Sequence, residues 1–120
     1  MTKIMIVDDD QTTTSLLETL LELDGYAVVV VRRGADVIPK VETEMPDLIM
    51  MDYHLTDIEG VEVIRDIRKH NNAKLATIPI LMASGMDVSE EAMAAGANKF
   101  IVKPFEPGEL PELFTSLISG

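Results

Sequence analysis

Residues 3–10 read KIMIVDDD, an aliphatic run that stops at three consecutive aspartates. The same figure recurs along the chain: LIMM ends at Asp52, ILMA at Ser84 and FIV at Lys103-Pro104. Continuous apolar runs of this length, without polar alternation, are what strands buried on both faces look like. If all four are parallel strands, their polar ends share the carboxyl edge of one sheet, where open α/β folds place ligand crevices. Carboxylates, a hydroxyl and an ammonium are then expected in one place.

Working outward, strand-like and helix-like patterns alternate. Lys3 to Val7 predicts the first strand. A helix follows in which Leu16, Leu20 and Leu23, flanked by Leu17 and Leu21, repeat at helical spacing to cover the sheet. Asp10 or one of the threonines after it can cap this helix, and Gly25 can close it. Ala27 to Val31 is the next β-branched run. A helix from about Ala35 to Glu44 is interrupted by Pro39, which must distort it or lie in its first turn. Leu48 to Met51 predicts the third strand, and Val61 to Lys69 a helix with Val61, Ile64 and Ile67 inward. Ile78 to Met82 is the fourth strand, with Pro79 near its beginning. Glu90 to Ala95 is a short helix ended by Gly96, Lys99 to Val102 the fifth strand, and Pro107 to Ser119 the last helix, with Pro111 disturbing its start. Five βα units with short connections predict an α/β fold with a doubly wound parallel sheet and helices on both faces.

The 120 residues suffice for one domain, residues 1–120, with a sizeable core. A net charge of -11 repels a polyphosphate backbone, so direct nucleic-acid binding is not expected, whereas cations and basic protein surfaces suit the chain. The absence of cysteine excludes disulfides and thiolate metal sites. The start MTKIMIVDDD lacks the apolar core of a signal peptide, and no apolar stretch approaches the ~20 residues needed to cross a bilayer, so a cytoplasmic address is expected. The eight methionines read mostly as core filler.

An acidic cluster taken alone is more simply a solvated turn or a helix cap. Three acids directly after a buried strand repel one another unless a cation offsets them. A further carboxylate, Asp52, ends another strand. Hard oxygen ligands without imidazole or thiolate pairing suit Mg²⁺, which keeps several waters and so leaves positions open to phosphoryl oxygens. Lys103 supplies a compact charge of the kind that binds phosphate, and Ser84 can donate to another oxygen. A carboxylate set between a metal and a lysine can act as a nucleophile and form an aspartyl phosphate. Asp52 is the best-placed candidate.

With those residues in view, the whole chain resembles the receiver domain of a two-component response regulator, the CheY-like class. Asp8 and Asp9 match the family's acidic pair, Asp52 in LIMMDYHL its phosphorylated aspartate, and Gly60 the glycine eight positions on. Ser84 in LMASG matches the hydroxyl switch residue, Gly96-Ala97 the GA before the fifth strand, Lys103-Pro104 the lysine and its cis-forming proline, and Phe100 the aromatic switch position. The resemblance implies a flavodoxin-like (βα)5 fold with strand order 2-1-3-4-5. It implies Mg²⁺-dependent phosphoryl transfer from a histidine kinase or histidine phosphotransfer protein to Asp52, and later hydrolysis. Asp9, Asp52 and the His54 backbone carbonyl would ligate Mg²⁺ directly, with Asp8 acting through a water. Lys103 would pair with phosphoryl charge, and Ser84 and Phe100 would move together to alter a surface that meets a downstream protein effector. Such a domain is a signalling phosphoacceptor that catalyses its own phosphorylation and dephosphorylation rather than a turnover enzyme. His54 and Met86 sit where the family tunes phosphoryl lifetime.

Three departures stand out. Thr56 replaces the usual proline four residues after the phosphoacceptor, leaving the stiffness of that loop open. The Ser84–Gly96 interval is shorter than is common by close to one helical turn of about 3.6 residues, so the helix before the fifth strand should be short. The chain ends at Gly120 without a DNA-binding effector, which suits a stand-alone regulator or an excised piece. Two other readings compete. Asp8-Asp9-Asp10-Gln11-Thr12 fits the DxDxT signature of haloacid-dehalogenase-like phosphatases with Asp8 as nucleophile, but no acidic pair follows a strand beyond Lys103 and Asp52 would have no role. A calcium loop would need a glycine at Thr13. A phosphorylation-independent binding module of receiver fold would be expected to have lost one of Asp8, Asp9, Asp52, Ser84 or Lys103.

Overall fold

The structure, a computed structural model, describes residues 1–119. Five parallel strands form one sheet: β1 (Lys3–Val7), β2 (Ala27–Val31), β3 (Leu48–Asp52), β4 (Ile80–Ser84) and β5 (Lys99–Val102). Their spatial order is β2-β1-β3-β4-β5, the doubly wound, flavodoxin-like arrangement. The helices are α1 (Gln11–Leu23), α2 (Val37–Glu44), α3 (Gly60–Arg68), α4 (Ala73–Ala76), α5 (Ser89–Ala95) and α6 (Leu110–Ser119).

Alternation along β1 and β3 divides the core. Ile4 and Ile6 join Leu48, Met50, Leu81 and Phe114 beneath α1 and α6. Met5 and Val7 join Ile49, Met51, Ile64 and Met82 beneath α2, α3 and α5. Side chains on successive residues of a strand point to opposite faces, so a strand covered on both sides must be apolar at every position. Val7 pairs with both Val31 and Met51, which places the residues following β1 and β3 at one edge.

Asp10 caps α1 by accepting from the Thr12 N–H at 3.0 Å, and Gly25, at φ +94°, follows its end. The inward stripe of α1 differs from the leucine repeat read in the sequence. Thr14, Leu17 and Leu21 are buried, whereas Leu16 and Leu23 are 54% and 79% exposed. Five leucines on one helix span two adjacent stripes, and spacing alone does not say which one meets the sheet. Pro39 is the third residue of α2, in the first turn where its missing N–H is harmless. Likewise Pro111 is the second residue of α6, after a 3₁₀ turn at Pro107–Glu109.

β4 starts and ends two residues later than expected. Pro79 precedes it with its carbonyl accepting from Ile49 N, and the Asn98 side chain accepts from Ile80 N, so pairing begins once the proline is past. The single turn α4, capped by Asn72, gave no periodic signal because it is only four residues long. α5 is indeed short, seven residues closed by Gly96 at φ +119°. Of the methionines, Met5, Met50, Met51 and Met82 are buried, but Met1, Met45, Met86 and Met93 are exposed, so core filling accounts for half of them. His70, just past the end of α3, is polar and bonded on the surface, with Nε2 2.8 Å from Glu42 Oε2. No described helix is long and apolar enough to cross a membrane.

Candidate functional site

The polar ends of β1, β3 and β5 converge as the sequence pattern requires. Carboxylate oxygens of Asp8, Asp9 and Asp52 lie within 4.8 Å of one another. Lys103 Nζ donates to Asp52 Oδ1 at 2.9 Å and approaches Asp8 Oδ2 at 3.4 Å. Asp8 is buried and Asp52 nearly so, their side chains 7% and 12% exposed. Burial pushes the Asp52 carboxyl above its ordinary value, and the charges of Asp8 and Asp9 add to this against the opposing pull of Lys103. Burial draws Lys103 down, but its hydrogen bond to Asp52 and the charges of Asp52 and Asp8 outweigh that and hold the ammonium above its ordinary value.

Three carboxylates therefore face one ammonium, a surplus of anionic oxygen with no imidazole or thiolate in the described cluster. That donor set fits a hard divalent cation such as Mg²⁺. Asp10 stands apart, since its carboxylate is spent on capping α1 and on the Thr13 hydroxyl at 2.7 Å. Beneath the cluster the void bounded by Asp8, Met50, Asp52, Ala83 and Lys103 is only about 10 Å³. The floor under the carboxylates is therefore tightly packed.

The family described as Response regulator receiver domain matches residues 4–115. The chain belongs to that family. The alkaline phosphatase synthesis transcriptional regulatory protein PhoP of Bacillus subtilis is 35% identical over 111 residues, covering 90% of this chain and 45% of PhoP. The chain spans about half the length of the curated relatives it matches. A putative response regulator from Chloroflexus aurantiacus superposes with a TM-score of 0.90 at 32% identity, covering 99% of this chain and 98% of that one. The receiver domain of the sensor histidine kinase PA1611 from Pseudomonas aeruginosa, solved with a magnesium ion coordinated in its active site cleft, has a TM-score of 0.88 at 27% identity, over 99% and 98% of the two chains.

In this receiver domain the other expected positions are placed as follows. Ser84 is fully buried and its hydroxyl accepts from Met86 N at 3.2 Å, the local role a strand-end hydroxyl commonly has. Its carbonyl accepts from Lys103 N at 2.8 Å, which ties the ends of β4 and β5 together. Phe100 is half-buried against the α2–α3–α5 core. The Lys103-Pro104 bond is cis. Gly60 is required by space, because a Cβ there would lie 2.3 Å from the Asp52 carbonyl oxygen. The His54 side chain is exposed, set edge-on to Tyr53 with centroids 4.7 Å apart, and contributes no ring atom to the carboxylate cluster.

Two residues of the domain escaped sequence reasoning. Tyr53, directly after Asp52, is buried and its hydroxyl donates to Glu91 of α5 at 2.9 Å. The Glu91 hydrogen bond, burial and the nearby Glu59 push its phenol up to about 12. Asp57 accepts from Gly34 N at 2.8 Å and Ala35 N at 2.9 Å, and these backbone donors hold its carboxyl below its ordinary value. Both partners lie more than twenty residues away in sequence, 38 for Tyr53 and 23 for Asp57 with Gly34, so no periodicity marks them. An acid just after Thr56, in a loop lacking its stiffening proline, was the available hint.

Proposed function

We propose that this receiver domain accepts a phosphoryl group on Asp52 from a phosphohistidine of a sensor kinase or histidine phosphotransfer protein, and that the phosphorylated state alters a protein-interaction surface. The observation carrying this reading is the Asp52 carboxylate, nearly buried but not sealed, 2.9 Å from Lys103 Nζ and clustered with Asp8 and Asp9. Asp8, Asp9 and Asp52, with the His54 backbone carbonyl, would hold Mg²⁺. When bound, the ion offsets carboxylate repulsion and neutralises phosphoryl charge.

The residues then divide the work. An Asp52 oxygen attacks phosphorus, the P–N bond to the donor imidazole breaks, and the leaving nitrogen keeps the electron pair. Lys103, held protonated between Asp52 and Asp8, stabilises charge on a phosphoryl oxygen without itself giving up a proton. Water attacking phosphorus later breaks the P–O bond and returns the carboxylate and inorganic phosphate. Asp52 keeps part of its side chain exposed, which suits reaction with a partner protein's exposed phosphohistidine. Ser84 would exchange its bond to Met86 N for a phosphoryl oxygen, with Phe100 adjusting beside β5. Self-phosphorylation and self-dephosphorylation of this kind make a switch, not a turnover enzyme. A cytoplasmic site of action, a kinase upstream and a protein effector downstream follow from the same reading, and the domain's acidity argues against direct contact with nucleic acid.

Intact mass after incubation with Mg²⁺ and acetyl phosphate tests this. Wild type should gain one labile phosphoryl group that needs Mg²⁺ and is lost completely in Asp52→Asn. No adduct in wild type would overturn the reading, and an adduct surviving in Asp52→Asn would move the nucleophile to Asp8.

A further inference from the structure

The loop between β3 and α3 is closed at its base by the Gly60 N–H donating to Tyr53 O at 2.8 Å and by a bridge between His54 and Glu59. Its tip carries Thr56, Asp57 and Ile58, all exposed. Thr56 brings no ring to stiffen the chain, and its side chain makes no hydrogen bond among the described residues. The tip is instead held from outside. Both oxygens of Asp57 accept backbone N–H groups at the β2–α2 turn, Gly34 at 2.8 Å and Ala35 at 2.9 Å. These two N–H groups open the 3₁₀ turn Gly34–Asp36, where unsatisfied donors favour a carboxylate. Ile58 packs into the space that the missing side chain of Gly34 leaves, since a Cβ there would come within 2.4 Å of Ile58 Cγ1. The two loops therefore meet as one fitted junction beside the acidic cluster.

We propose that Asp57 is a positioning residue for the phosphoacceptor site: its clamp on the Gly34–Ala35 backbone holds the His54–Glu59 loop in the one arrangement that completes the Mg²⁺ site. This rests on the phosphoacceptor reading above. A loop with a closed base and a free tip samples several conformations, and ordering it would then be charged against cation binding. With the tip held, that ordering is already complete in the free domain. The β2–α2 turn thereby belongs to the site although none of its side chains enters it.

The test is Mg²⁺ titration by calorimetry, beside acetyl phosphate labelling across Mg²⁺ concentrations, on wild type, Asp57→Ala, Asp57→Asn, Gly34→Ala and the Asp57→Ala/Gly34→Ala double variant. Asp57→Ala should weaken Mg²⁺ binding about tenfold, as loss of an outer support typically does, while labelling at saturating Mg²⁺ falls by a smaller factor. Asp57→Asn, which keeps one acceptor oxygen, should fall between. Gly34→Ala, which opens the junction from the other side, should match Asp57→Ala, and the double variant should be no worse than either single change. Wild-type Mg²⁺ affinity in Asp57→Ala, or additive losses in the double variant, would overturn the proposal. Should Gly34→Ala not fold, the Asp57→Asn and Asp57→Ala series decides by itself. A wild type that binds Mg²⁺ but forms no adduct would sink the phosphoacceptor reading while leaving the calorimetric answer on Asp57 intact.

Discussion

The centre of the sheet and its β5 edge are built on different terms. β1 and β3 have neighbours on both sides and helices on both faces, and every residue from Ile4 to Val7 and Leu48 to Met51 is buried. β5 has one neighbour, its four residues are half-buried or exposed, and Val102 is 48% exposed. α5 beside it buries only Ala92 and Ala95 and leaves Met93 48% exposed. The difference separates two needs. On the proposed reading, the carboxylates that would meet a phosphoryl donor, Asp8, Asp9 and Asp52, stand at the ends of strands that cannot shift without disturbing the packing of both layers, whereas Lys103 reaches them from the edge. The surface of β5 and α5 around Phe100, where the proposed switch would act, is held by few apolar contacts, so a small free energy can reshape it.

Truncation at each place should expose that contrast most strongly. Ile49→Ala empties space in the centre and should cost about 3 kcal/mol in urea unfolding, whereas Val102→Ala should cost less than about 0.5 kcal/mol. Equal losses would break the comparison. Gly60→Ala should come next. The added methyl collides with the Asp52 carbonyl, so a loss of about 1–3 kcal/mol should accompany slower Mg²⁺-dependent labelling of Asp52 by acetyl phosphate.

The smallest effect is expected where the two regions are joined, at the Tyr53–Glu91 hydrogen bond. Tyr53→Phe should leave global stability near wild type and speed amide exchange in α5 while leaving β3 protected. Unchanged exchange in α5 would show that this bond does not couple them. The same bond sets a pH dependence. A phenol raised in the folded state stabilises fully below its unfolded value near 10, and the contribution disappears as pH rises towards about 12. Wild type should therefore lose stability over that window more steeply than Tyr53→Phe, which lacks this phenol.

Much of the domain was legible before its coordinates. Asp8, Asp9, Asp52 and Lys103 could be grouped because each follows an aliphatic run, and parallel pairing carries the ends of such runs to one edge. Ring geometry marked Pro39 as a distortion or a first-turn residue and Pro111 as a disturbed helix start, and the structure puts both in first turns. Other features were hidden for identifiable reasons. Leu16 and Leu17 are equal as letters, and only the sheet decides that Leu17 is the one to bury. Asp10, by contrast, was already legible as a cap for α1, and it accepts from the Thr12 N–H there.

The order and character of the elements, and with them the residues brought to the carboxyl edge, follow from the amino-acid string, because hydrophobic periodicity and chain connectivity are local properties. The packed fold alone reveals that Asp57 clamps the Gly34–Ala35 turn, that Tyr53 reaches Glu91, and that Arg68 gathers the carbonyls of Ala76, Ile78 and Gly96. Those contacts join segments whose separation carries no pattern. A polar side chain finds its partner by satisfying whatever donor or acceptor the packed backbone leaves open, and that is known only once the chain has folded.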